Sequence, residues 1–61
     1  MESTHAEDVL AELARDTAND VGYHAVRWWV DEANPHRVLI VARSPTAVAN
    51  TTIILIAHLP G

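Results

Sequence analysis

The chain has 61 residues, no cysteine, 49% hydrophobic residues and a formal net charge of −4. A domain of this length buries only about 60% of the surface its unfolded chain exposes, and without cysteine it has neither disulfides nor the commonest zinc ligand to make up the deficit, so oligomerisation is the expected supplement. Four arginines, no lysine and a negative total exclude the broad basic footprint of a nucleic-acid binder.

The charge is unevenly placed. Residues 1–20 hold Glu2, Glu7, Asp8, Glu12, Asp16 and Asp20 against Arg15 alone, whereas the rest of the chain sets Arg27, Arg37 and Arg43 against Asp31 and Glu32. An acidic segment is therefore joined to a nearly neutral, apolar one. The acidic N-terminus lacks the basic and apolar regions of an export signal. The later apolar runs are too short to span a bilayer and are separated by Arg43, Pro45 and Asn50. A cytoplasmic protein with no membrane association is expected, and with no repeat, low-complexity tract or linker, residues 1–61 read as one small α+β domain.

The first segment has the signature of an amphipathic helix. Thr4 and Glu7 fit a capping box, Glu7 and Asp8 suit the positive end of the helix dipole, and Ala6, Val9, Leu10, Leu13, Ala14, Thr17 and Val21 form an apolar stripe at spacings of three and four. Asp8, Glu12, Arg15, Asp16 and Asn19 take the opposite side. Gly22 supplies a stop, because it adopts the left-handed conformation that ends helices.

From Tyr23 the pattern becomes that of strands. Residues 23–31 are rich in aromatic and β-branched types, residues 32–36 contain the turn-initiating pair Asn34 and Pro35, and residues 37–43 form a second strand. With Glu32 facing Arg37 across the turn, Trp29 lies opposite Ile40 and Trp28 opposite Val41. One face then carries Val26, Trp28, Val30, Leu39 and Val41, and the other Tyr23, Ala25, Trp29, Val38, Ile40 and Ala42.

The third apolar run admits two readings. Ser44 and Pro45 suit a helix start, with Val48, Thr52, Leu55 and Leu59 along one side. The β-branched Thr51, Thr52, Ile53, Ile54 and Ile56 favour a strand over residues 51–59, after a loop or short helical turn over residues 45–50. The expected fold is α-β-β-β, a helix on one side of a three-stranded antiparallel meander, with α-β-β-α as the alternative. One helix covers one face of such a sheet. The other, with large side chains of its own, requires a partner, most simply a second copy.

Few residues suggest chemistry. His5, His24, His36 and His58 lack the short spacings of a zinc signature, so no metal is expected, although His24 and His58 on neighbouring strands are the pair to watch. No cysteine nucleophile, nucleophile elbow or glycine-rich phosphate loop is present, and neither catalysis nor a cofactor is expected. Trp28 and Trp29 point to opposite faces of a strand, so one belongs to the core and the other to the second surface.

The expected oligomer interface is Trp29 with Arg27, Asp31, Ile40, Ile54 and Ile56, an aromatic anchor inside a partly charged rim. Asp8, Glu12 and Asp16 form an acidic surface suited to a basic protein partner. The functional expectation is a small, non-catalytic, self-associating interaction or regulatory module of the kind phages and mobile elements encode, dimeric and acting by binding another protein. The alternatives are an oligomeric small-molecule binder, with Trp28 or Trp29, Tyr23 and His24 lining a pocket between subunits, and an interface-built enzyme using His24 or His58.

Overall fold

A computed structural model describes residues 2–46 and 51–60, with only the backbone described for residues 2–6. Helix α1 (Glu2–Asp20) precedes strands β1 (His24–Val30), β2 (Arg37–Arg43) and β3 (Thr52–His58), which form one antiparallel sheet in the order β1-β2-β3. The chain is thus α+β with the order α-β-β-β, and the α-β-β-α alternative falls because residues 52–58 are a strand. Their run of β-branched side chains packs better on a pleated surface than around a helix. Of the loop expected over residues 45–50, residues 47–50 lie outside the described ones. No described helix is long and apolar enough to cross a membrane.

Helix α1 begins at Glu2, two residues before the expected cap at Thr4, whose side chain lies outside the described set. Its end follows the expectation. Gly22 has φ 78°, its N–H donates to Asn19 O at 3.0 Å and the Tyr23 N–H donates to Ala18 O at 2.8 Å. These two bonds are a Schellman arrangement, which satisfies carbonyls that the helix end would leave unpaired. Val21 is exposed rather than part of the apolar stripe, since the chain has already left the helix there.

The core is small and lies between α1 and one face of the sheet. Ala14, Val38, Ile40 and Ala57 are its buried centre, with Leu10, Leu13, Ala25, Trp28, Leu55 and Leu59 packed around it. Ala14 and Ala18 are fully buried; with only methyl groups at these two positions the helix backbone sits close to the strands. Thr17, on the same stripe, donates its hydroxyl to Leu13 O at 2.7 Å and so carries its polar atom into the interior already satisfied.

The β1–β2 register differs from expectation by one residue. Trp28 pairs with Ile40 and Trp29 with Leu39, because the hairpin closes at Asp31, not at Glu32. The Asp31 N–H donates to Arg37 O at 2.8 Å, while the Asp31 carboxylate accepts from the Ala33 N–H at 3.0 Å and from Arg37 Nε at 2.8 Å. A one-residue slip exchanges faces, so Trp28 and Val30 join Val38, Ile40 and Ala42 beneath the helix, and Trp29 joins Leu39 and Val41 on the far side. A bulge at Val26 restores Ala25 to the helix side opposite Ala42. Without that extra residue the start of β1 would present the wrong face.

Candidate functional site: the open face of the sheet

The strand registers define the face that α1 does not cover. Trp29, Leu39 and Ile56 form one row across the three strands, and Arg27, Val41 and Ile54 the next. Toward the β1–β2 turn the rows are followed by Arg37 and His58, and at the other end by His24, Arg43 and Thr52. The centre is apolar and open to solvent: Trp29 is 41% exposed, Ile54 59% and Ile56 53%. Exposed large aliphatic and aromatic groups in adjacent registers make a continuous patch of the kind that marks interaction surfaces.

Five of the six residues expected at an interface meet here. Trp29, Arg27, Ile54 and Ile56 lie in the two central rows, and Asp31 continues the same side of β1 into the turn. Ile40 does not belong with them: it is fully buried beneath α1, because the register that turns Trp28 inward also turns Ile40 inward. Leu39 and Val41 replace it on the open face. Their membership was hidden by the expected pairing of Glu32 with Arg37; the signal that could have found it is Asp31, whose short side chain readily closes a turn on an amide two residues ahead.

Each tryptophan is capped by an arginine, on opposite sides of the sheet. Arg15 Cζ of α1 lies 5.5 Å from the Trp28 ring centroid and Arg27 Cζ lies 5.6 Å from that of Trp29, within the range of cation–π attraction. Asp31 holds Arg37 through a 2.7 Å contact from Nη2 to Oδ2. The Ala33 amide, followed by the Arg37 guanidinium, lowers the Asp31 carboxyl below its ordinary value of 3.8, since both favour the charged form.

The open face is also where the basic residues lie. Arg27, Arg37 and Arg43 all project from it, leaving only Arg15 on the helix. Among acids, only Asp31 and Glu32 lie outside residues 1–20. Asp8, Glu12 and Asp16 are exposed on α1, successive i and i+4 positions along the side turned away from the sheet. The molecule thus has an acidic back and an apolar front with three arginines on its β1 and β2 strands.

Among the described residues, His24 and His58 are not brought together. His24 pairs with Arg43 on β1 and His58 with Arg37 on β3, at diagonal corners of the sheet, and among the described residues no group of three or more metal-binding side chains occurs. Trp28 is on the helix side and Trp29 on the open side, so the two do not line one pocket. A cleft that sequence reasoning missed, of about 420 Å³, lies beside the helix and is lined by Val9, Leu10, Val30, Leu59 and Pro60; it offers apolar walls and no polar group to orient a ligand. No protein-family model, no curated protein and no solved structure matches the chain.

Proposed function

We propose that the protein is a small, non-catalytic interaction module that self-associates through the open sheet face and acts by binding another protein there. The observation that carries this reading is the pair of rows Trp29–Leu39–Ile56 and Arg27–Val41–Ile54, solvent-facing on a sheet whose other side packs against the helix. Burying such groups gains roughly 25 cal/mol per Å² of apolar surface, and a two-fold pair of sheets is the simplest way for one chain to do it.

The size of the face limits the strength of that pairing. Seven-residue strands span about 23 Å, and three strands place the outer two about 10 Å apart. Such a footprint falls below the standard size of stable interfaces, so the self-association is weak and concentration-dependent. Native mass spectrometry and sedimentation test it: species at multiples of 6.7 kDa that revert to monomer in Ile54→Lys, with the secondary structure unchanged, support the reading. A monomer at every concentration, combined with no capture of any polypeptide by the face, overturns it.

A further inference from the structure

We propose that the protein partner of the open face is an acidic amphipathic helix, which displaces the second copy. The proposal rests on the reading that this face binds polypeptide and adds the chemistry of the occupant. Arg37 and Arg43 stand at the two ends of β2 and Arg27 on β1, beside an apolar centre of Trp29, Leu39, Val41, Ile54 and Ile56 that continues to the β3 edge. Asp31, on the same side of β1, is committed to Arg37 at 2.7 Å. Two copies stacked face to face bring six arginines together with two aspartates. That pairing joins apolar centres while opposing like-charged rims, which costs affinity.

A partner with an apolar stripe flanked by Asp and Glu makes the same central contacts and supplies the missing counter-charges. The protein's own helix is acidic, but its apolar stripe is already spent on Ala14, Leu10 and Leu13 against the core, so another copy's α1 does not fill the role. A helix is also the element whose shape the sheet already accepts. The opposite face of the same three strands is covered by one amphipathic helix, and a second helix on the open side completes a three-layer arrangement. Nucleic acid fits less well, since Ile54 and Ile56 occupy the centre where a stacking platform would need further aromatic rings.

Salt separates the two occupants. Screening relieves the repulsion between like rims, so self-association strengthens with salt, whereas attraction to an acidic partner weakens. The test titrates the full chain into a fluorescein-labelled synthetic helix of about 20 residues with one leucine stripe flanked by glutamates, and into the same peptide with lysines in place of the glutamates. Anisotropy is read at low and high salt, and native mass is followed in parallel.

The expected result is binding of the glutamate peptide only, weakened by salt, with loss of the homo-oligomer as the peptide complex appears. Arg27→Glu with Arg43→Glu should reduce that affinity about tenfold, the sum of two exposed ion pairs, at unchanged circular dichroism. Equal binding of both peptides overturns the charge argument. Binding to anionic phosphatidylglycerol vesicles without binding to the peptide assigns the face to a lipid surface and overturns the proposal. If neither peptide binds while Ile54→Lys still dissociates an oligomer, the acidic partner is wrong and self-association stands; if neither peptide binds and no oligomer exists, both fall.

Discussion

The Asp31 carboxylate and the Arg37 guanidinium meet at 2.7 Å where β1 enters the turn, and this contact fixes which tryptophan faces inward. The Asp31 backbone N–H also donates to Arg37 O at 2.8 Å, so side chain and backbone close the hairpin at the same residue pair. Moving that closure by one residue would send Trp28 to the open face and Trp29 to the core.

Asp31→Asn should therefore weaken the fold and change its acid response. The native carboxyl lies below 3.8, so its charged form contributes stability that is complete above the ordinary carboxyl range and is lost as the pH falls through the lower native value. Chemical denaturation from pH 7 to pH 2 should show the wild type losing this contribution only in the acid range. The Asn variant should lack it at neutral pH and differ least from wild type at pH 2.

Trp28→Ala and Trp29→Ala should separate folding from association. Trp28 packs against the core and its loss should cost about 3 to 5 kcal/mol, enough to unfold a domain this small. Trp29 is 41% exposed, so its removal should leave the monomer folded and reduce the homo-oligomer. Circular dichroism and native mass of the two variants check this, and equal unfolding in both would contradict the assignment of faces.

Ile40→Ala should cost about 2 to 5 kcal/mol, because Ile40 and Val38 are the largest fully buried side chains among the described residues. Ile56→Ala, on the exposed row, should change the thermal midpoint of the isolated monomer far less. Thermal unfolding of both in dilute solution makes the comparison.

Gly22→Ala should destabilise the helix end by about 1 to 2 kcal/mol, since φ at Gly22 is 78°. A Cβ there meets no atom within 4 Å, so the whole cost is backbone strain. Gly22→Asn should recover part of it, as asparagine tolerates the left-handed region better than alanine.

Glu12→Lys should stabilise the helix by up to about 1 kcal/mol, because it turns two like-charged i,i+4 spacings, to Asp8 and to Asp16, into attractive ones. Asp8, Glu12 and Asp16 lie on the far side from the open sheet face, so the homo-oligomer measured by native mass should be unaffected. A loss of oligomer in this variant would place the helix in the interface.

Much of the architecture is legible in the amino-acid sequence. The apolar stripe around Leu10, Leu13 and Ala14, the stop at Gly22 and the second strand at 37–43 follow from periodicity and backbone chemistry, which act locally and leave their mark within a few residues. The choice of strand for 52–58 followed from β-branching at Ile53, Ile54 and Ile56, again a local preference. That one tryptophan faces the core and the other solvent also followed, from strand alternation alone. Which one does so did not, because register depends on where the hairpin closes. The sequence offers both Asp31 and Glu32 for that role, and only the folded turn, with Ala33 and Arg37 donating to Asp31, selects between them. Strand alternation placed Arg27 beside Trp29 and allowed Arg37 and Arg43 to share a face, but did not show that all three, which stand 6 to 16 residues apart in the chain, lie on the same one. It is the register of β1 on β2, set by the closure at Asp31, that puts Arg27 on the same face as Arg37 and Arg43.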